Sequence, residues 1–223
     1  TFHNEGRVEV WNPANGCIEE IPAVQKDGFS TVNLSMAEGE CLFVVFRHDG
    51  KKSKAKAWEE MDRQDISGNK WTLTFPEGWG IDAPITTNQL LPWKQLATTE
   101  EGKSFSGTAT YRTTLSLDRK DSKARYTLQL GKVNQIAVVR VNGKELETVW
   151  AEPYECNVTE ALHKGENQIE IDVTSSWYNR LVYDEALPEE ARKTWVISGP
   201  GKNEPYRDFG LMGPVVLTTK LSF

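Results

Sequence analysis

Seven residues in the second half of the chain combine aromatic rings with polar side chains as sugar-binding sites do. Aromatic faces offer a sugar ring a large contact area at low entropic cost, and amide, guanidinium and carboxylate groups can hydrogen-bond its hydroxyls. The same pattern also suits rings and polar groups that plug a core or an interface, and this alternative stays open. The candidates for carbohydrate binding are Trp150, Trp177, Tyr178, Asn179, Arg180, Asp184 and Tyr206.

Arg180 lies within the segment Trp-Tyr-Asn-Arg-Leu, between apolar neighbours. A buried guanidinium must be paired, because an unpaired charge is costly away from water. Asp184 and Asp208 are the acids that could pair with it. We favour a salt bridge that fixes a loop over an arginine that grips a sugar hydroxyl.

No residues are assigned to catalysis or to a metal. Glycoside hydrolysis needs two carboxyl groups on either side of a sugar. Glu145 and Glu147 are two residues apart on a predicted strand, so they are expected to share one face, and a solvated strand face explains them. The three histidines fall in a terminus, a linker and a turn, and none lies near a Ser or Cys in a recognisable nucleophile arrangement.

The three cysteines, Cys17, Cys41 and Cys156, lack metal-ligand spacing. A Cys17–Cys41 disulfide is one interpretation, and three buried free thiols are the other.

Charge and hydropathy exclude two classes of partner. The 223 residues carry a formal net charge of −6. Nucleic acid is therefore not an expected partner, because phosphate binding needs a basic face. A membrane is not expected either, since no apolar run approaches the roughly 20 residues of a spanning helix.

Alternation of polar and apolar residues with a period of two dominates the chain and predicts an all-β fold. The clearest hairpin turns at Asn142-Gly143, a pair that suits a type I′ turn. Helical signals are limited to short stretches at 159–164 and 188–193. Many short strands with turn residues between them are typical of a sandwich or jelly roll. Alternating runs are found at 70–75, 107–117, 125–130 and 168–173.

A Lys-rich polar stretch at 48–56 interrupts the alternation and predicts a boundary. We therefore expect a small β segment over residues 1–50 and the main domain over residues 51–223. The alternative is that this stretch begins an exposed helix running to Met61. Before the boundary, the apolar run at 41–46 predicts a strand covered on both faces.

Several segments, in order, resemble a known family. Residues 105–112 (FSGTATYR) and 128–181 are similar to the sugar-binding domain of glycoside hydrolase family 2. Together with residues 8–16 (VEVWNPANG) and 41–47 (CLFVVFR), they resemble the C-terminal region of α-L-rhamnosidase-like proteins, glycoside hydrolase family 106. The resemblance implies a galactose-binding-like jelly-roll β-sandwich preceded by a small β segment.

The resemblance also implies a role. The chain would be a non-catalytic ancillary module, mainly structural with weak glycan contact, of a periplasmic or extracellular glycoside hydrolase acting on plant or host polysaccharide. Its partners would be carbohydrate and the catalytic domain of the same protein. No cofactor is implied, although such sandwiches often carry a structural calcium ion, for which the sequence names no ligands. Two alternatives remain: an autonomous carbohydrate-binding module, and a hydrolase with an unrecognised site.

Overall fold

The structure, a computed structural model, describes residues 1–222, and its regular secondary structure is mostly strand. In chain order the strands are β1 (Arg7–Trp11), β2 (Ile18–Ile21), β3 (Ala23–Lys26), β4 (Phe29–Val32), β5 (Phe43–Arg47), β6 (Trp58–Asp65), β7 (Trp71–Thr74), β8 (Ile85–Thr87), β9 (Thr108–Leu117), β10 (Ala124–Gln129), β11 (Lys132–Val133), β12 (Ile136–Val141), β13 (Lys144–Val149), β14 (Glu155–Asn157), β15 (Gly165–Thr174), β16 (Leu211–Gly213) and β17 (Val216–Ser222). The helices are α1 (Trp93–Leu96), α2 (Glu100–Lys103), α3 (Tyr178–Glu185) and a single 3₁₀ turn, Glu189–Ala191.

Two antiparallel sheets form the main body. One has six strands in the order β13-β12-β15-β9-β7-β8, and the other has four in the order β14-β10-β17-β6. Alternate residues of β9 and β15 are buried, and they belong to the same apolar core as those of β10 and β17. Every second side chain of a strand points to the same face of its sheet, so each strand contributes one row of side chains to the core. This burial pattern confirms the predicted all-β sandwich.

Tyr111 connects the core to the segments that cover its end. Its ring is fully buried, and its hydroxyl accepts a hydrogen bond from Trp93 Nε1 at 2.6 Å and another from the Leu211 backbone N–H at 3.0 Å. Burial raises the pKa of the Tyr111 phenol, although these two bonds oppose the shift. The hydroxyl therefore stays protonated and joins α1 to β16.

The predicted hairpin is present. Asn142 and Gly143 both have positive φ, as a type I′ turn requires, and they connect β12 to β13. A bulge in this pair places Glu147 opposite the buried Val139, whereas Glu145 lies opposite Arg140. The expectation that the two glutamates share a face is therefore wrong, because the extra residue of the bulge reverses the alternation between them.

Strands β1 to β5 form sheets of their own: β2-β1-β5, and the β3-β4 hairpin. Contacts that join them to the sandwich include the Glu19–Arg125 pair at 2.8 Å, the hydrogen bond from Trp150 Nε1 to the Ala14 carbonyl at 3.1 Å, and a hydrogen bond from Asn15 to Glu147. The division of the chain at residue 50 remains a prediction.

Three local expectations are wrong. Phe43 of β5 is 56% exposed, so the 41–46 run is not covered on both faces by the described residues. Residues 58–65 form strand β6 rather than the end of a helix, because their main chain pairs with β17 at the sheet edge while their side chains are mostly exposed. The eight-residue helix α3 has no sequence signal, since its N-cap is Trp177 and its first turn lacks an acid.

Gly131 marks a close approach between backbones. It has φ +62°, and a Cβ atom there would lie 2.4 Å from the carbonyl carbon and oxygen of Gly213. Gly143 also has positive φ, +77°, but nothing lies within 4 Å of its would-be Cβ. An alanine at Gly143 would therefore cause backbone strain alone, whereas an alanine at Gly131 would cause both strain and steric overlap.

We expect Gly131→Ala to lower the free energy of unfolding by at least about 3 kcal/mol, because strain at positive φ adds to overpacking against backbone atoms. Gly143→Ala should cost only about 1 kcal/mol, from strain alone. Urea unfolding of both variants measures the difference. Equal losses would contradict the role of the Gly131–Gly213 contact.

Candidate functional site

The candidate residues fall into two places in the fold. Six of them, Trp177 to Arg180, Asp184 and Tyr206, belong to α3 and the segments around it. Trp150 lies at the end of β13, against the β1–β2 turn. The structure does not test sugar binding at any of them, so that assignment stays a prediction.

Arg180 is the buried centre of the α3 region, 1% exposed. Its Nη1 donates to Glu101 Oε1 at 2.8 Å, and its Nη2 lies 2.7 Å from Asp184 Oδ1. The contact to Asp184 is a close charge pair outside hydrogen-bond geometry, and Nε has no hydrogen-bond partner among residues 1–222. Of the two acids considered from the sequence, Asp184 is the partner, whereas Asp208 pairs with Lys94.

Asp184, 2% exposed, closes the loop that follows α3. Its Oδ2 accepts from the Thr194 hydroxyl at 2.6 Å and from the Thr194 backbone N–H at 2.7 Å. Burial alone would raise the pKa of this carboxyl, but the charge of Arg180 and the hydrogen bonds from Thr194 together outweigh burial and hold the pKa below its ordinary value. Asp184 is therefore a structural anion.

Glu101 of α2 joins a second cation to this network. Its Oε1 accepts from Lys193 Nζ at 2.7 Å in addition to Arg180, and these bonds lower the pKa of the Glu101 carboxyl. The Arg180 guanidinium also lies 5.1 Å from the ring centroids of Trp79 and Tyr183. Charge and ring contacts thus enclose Arg180.

Asn179 holds the next loop. Its amide group donates to the Arg207 carbonyl at 3.0 Å and accepts from the Arg207 backbone N–H at 2.8 Å, as a neighbouring strand would. The Arg207 guanidinium stacks 3.7 Å from the centroid of Tyr178. Tyr206 is half-buried, and its carbonyl accepts from Lys94. The Asn179 amide, the Arg207 guanidinium and the Tyr206 carbonyl are therefore engaged in contacts within the protein.

An apolar surface borders α3, which we call the Trp195 surface. It is made of Trp177, Trp195, Val196 and Ile197, which are 47%, 78%, 44% and 89% exposed. Trp177 contacts Trp79 at 5.5 Å between ring centroids, and Trp195 lines a groove together with Leu181 of α3. Exposed apolar side chains of this kind, three of them consecutive in the chain, mark interaction sites.

Trp150 faces a separate cavity, which we call the junction groove. The groove has a volume of about 330 Å³ and lies between the N-terminal segment and the sandwich. Its walls are the β1–β2 turn, the segment before β5, the end of β13 and the connection to β14. The lining residues are 12–15, 39–41, 147–153 and 155.

Glu147 lines the junction groove and is half-buried beside Asn15 and Cys156. Burial raises the pKa of the Glu147 carboxyl, although hydrogen bonds from Asn15, the Asn157 backbone and Cys156 oppose the shift. Burial, followed by the nearby charge of Glu147, raises the pKa of the Cys156 thiol to about 12. No sequence pattern indicated this group, because the bulge in β13 turns Glu147 inward.

Residues 1–222 contain neither a disulfide nor a cluster of side chains suited to a metal ion. Within residues 1–222 the cysteines are unbonded; Cys17 and Cys41 are exposed and only Cys156 is buried, so neither the disulfide nor a set of three buried thiols is present. The described part of the chain holds no cluster of three or more His, Cys, Asp or Glu side chains suited to a metal ion. None of its helices is long and apolar enough to cross a membrane.

We expect Asp184→Asn to lower the free energy of unfolding at pH 7 by about 3 kcal/mol, the low end for breaking a buried pair, because Glu101 still partners Arg180. The native pKa of Asp184 lies below its unfolded value of about 3.9, so its contribution is present at neutral pH and is lost as pH falls below about 4. Chemical denaturation from pH 3 to 8 should show the two proteins converging at the acidic end.

The control for Asp184 is Glu185→Gln on the same helix. Glu185 pairs with Arg192 at 3.0 Å on the surface, so its loss should change stability by less than about 1 kcal/mol. A cost for Asp184→Asn no larger than this control would refute the role given to the buried pair.

Glu147→Gln should change the pH dependence in the opposite direction. Because the native pKa of Glu147 lies above its unfolded value of about 4.3, the wild-type protein loses stability as pH rises through the native pKa. The glutamine variant lacks this loss, so it should gain stability relative to wild type between about pH 4 and 8. Denaturation curves over that range test the sign, and a relative loss on the alkaline side would contradict it.

Three comparisons with known proteins bear on this architecture. Residues 85–209, more than half of the chain, match the family model described as glycosyl hydrolase 2 galactose-binding domain-like. The structure is similar to a rhamnosidase from Novosphingobium sp. PP1Y, with a TM-score of 0.80 and 32% identity, over 98% of this chain and 21% of that one. A β-D-glucuronidase of Dictyoglomus thermophilum shares the fold at a TM-score of 0.53 and 16% identity, over 77% of this chain and 29% of that one.

Among curated proteins, the chain is similar to one from Formosa agariphila named "Putative beta-glucuronidase". The two are 39% identical over 121 residues, which are 53% of this chain and 10% of that protein. The chain thus spans about a tenth of this relative and about a fifth of the rhamnosidase. The resemblance found in the sequence is confirmed, and the chain belongs to the glycosyl hydrolase 2 galactose-binding domain-like family.

Proposed function

We propose that this chain is a non-catalytic structural module of a glycoside hydrolase and that it packs against the catalytic domain of the same protein. The observation that carries the proposal is the closed state of the α3 region. Arg180, Asp184 and Asn179 are each at most 2% exposed and are engaged with protein groups. Side chains committed in this way fix loops and have little capacity left for a ligand.

The Trp195 surface is the part of the module that fits a partner domain. It presents two exposed tryptophans and Ile197, while the Arg180 network holds its base rigid through Asp184 and Thr194. The occupant that we assign to it is the catalytic domain, because the relatives above are about three to ten times as long as the region they share with this chain. An aromatic cluster on a rigid base is typical of interface hot spots.

The substrate, the linkage and the compartment are part of the proposal. The names of the relatives point to rhamnosides and glucuronides as the first substrates to test. Polysaccharides of plants or hosts lie outside cells, which supports a periplasmic or extracellular enzyme. Secretion of a tagged full-length protein would test the compartment.

The test compares the 223-residue chain with the full-length protein. The chain alone should not hydrolyse aryl α-L-rhamnosides or aryl β-D-glucuronides above background. In the full-length protein, Trp195→Ser with Ile197→Ser should lower the melting temperature by several degrees, as loss of about 2 kcal/mol at an interface does. The same pair in the isolated chain should cost less than about 0.5 kcal/mol, because both residues are exposed there.

The matched control is Met61→Ser, which removes a 54%-exposed side chain from β6. It should leave the melting temperature of the full-length protein unchanged. Equal effects of the two changes in full-length protein would refute docking at the Trp195 surface. Hydrolysis by the isolated chain that Glu147→Gln or Glu152→Gln abolishes would instead support the alternative of an enzyme in its own right.

A further inference from the structure

We propose that the junction groove is a binding site for a neutral sugar, with Trp150 as its stacking platform. The groove is separate from the Trp195 surface, so this inference goes beyond the structural role proposed above. A site here and docking at the Trp195 surface can succeed or fail independently.

Trp150 is held in place and yet remains largely exposed. Its ring is 56% exposed, yet its Nε1 donates to the Ala14 carbonyl at 3.1 Å. The polar edge of the ring is therefore satisfied and its orientation is held, while more than half of its surface is left free. A sugar ring could pack on such a surface without first having to order it, which favours binding.

The wall of the groove opposite Trp150 is also held by hydrogen bonds. Asn12 Oδ1 accepts from the Ala14 backbone N–H at 2.8 Å, and Asn15 Oδ1 accepts from the Cys17 backbone N–H at 2.9 Å. The Gly16 N–H closes the turn on the Asn12 carbonyl at 2.8 Å. The Glu19–Arg125 pair attaches the same segment to the sandwich. Both walls of the groove thus exist before any ligand arrives.

The charge of the lining residues determines which class of ligand the groove can bind. Four acids line the groove, and among residues 1–222 no lysine or arginine does; the acids are Glu40, Glu147, Glu152 and Glu155. Carboxylates only accept hydrogen bonds, so they suit the hydroxyl donors of a sugar. They also repel anions. The groove should therefore take neutral pyranosides and reject uronates, although two of the relatives above are named as β-glucuronidases.

The size of the groove limits the ligand. Its volume of about 330 Å³ is at the lower end of small-molecule sites, which fits one or two sugar residues. Open sites of this size with one aromatic platform bind weakly, so we expect a Kd of about 1 mM.

The experiment titrates the 223-residue chain with methyl α-L-rhamnopyranoside, methyl β-D-galactopyranoside and sodium D-glucuronate. Cys41 lines the groove and is exposed, so a fluorophore on Cys41 in a Cys17→Ser background reports occupancy, and calorimetry on unlabelled chain checks it. We expect at least one neutral glycoside to bind and glucuronate to bind at least about tenfold more weakly at pH 7, a difference of about 1.4 kcal/mol.

Three variants locate the site. Trp150→Ala should weaken neutral-sugar binding at least about tenfold, whereas Trp150→Phe keeps a ring and should stay within about threefold of wild type. Trp195→Ala, which changes an exposed tryptophan on the other surface, should bind like wild type. Melting temperatures of all three show whether any loss of binding comes from unfolding.

Two results with the wild-type chain would overturn the inference, and one result with the variants would do so too. One is the absence of a signal from every neutral glycoside up to about 10 mM, well above the expected Kd. The other is glucuronate binding equal to or tighter than that of the neutral sugars. Loss of binding in Trp195→Ala together with retention in Trp150→Ala would also overturn it, by moving the site to the other surface.

Discussion

A guanidinium can be buried only where charges and hydrogen bonds replace the water that it loses, and the end of this molecule is built around that requirement. Arg180 lies at 1% exposure between Glu101 of α2 and Asp184 of α3. Asp184 in turn collects the main chain and hydroxyl of Thr194, so one buried cation positions two helices and the loop that follows them. Because removing one partner would leave the other charge unpaired, these elements form as a set.

The contacts of Asp184 with Thr194 fix the start of the loop that carries most of the Trp195 surface. The loop that Asp184 anchors continues directly into Trp195, Val196 and Ile197, which stay exposed. A flexible loop with these residues would pay an ordering cost on binding, whereas a loop fixed at its base does not. The buried Arg180–Asp184 pair and the exposed side chains of residues 195–197 are thus connected through one loop. This arrangement suits a module that packs against another domain.

The N-terminal strands contribute differently. They make little core with the sandwich, but their β1–β2 turn meets Trp150 and Glu147 and forms one wall of the junction groove. The groove therefore depends on segments that are distant in sequence: the hydrogen bond from Trp150 to the Ala14 carbonyl joins residues 136 positions apart, and the Glu19–Arg125 ion pair joins residues 106 positions apart. The junction groove thus combines residues of the matched family domain with residues that precede it.

The sequence by itself determined the all-β class, the Asn142-Gly143 hairpin and the family, because period-two alternation and turn residues act over a few neighbours. It also indicated that Arg180 needs an acid and offered Asp184. It did not reveal β6, whose residues are polar on both faces and are ordered by pairing with β17, or α3, which lacks a cap. Only the tertiary structure decided which aromatic rings are free, that Glu101 completes the buried network, and that a bulge turns Glu147 into a groove. Burial and pairing between distant segments are properties of the packed chain, and no local spacing of residues carries them.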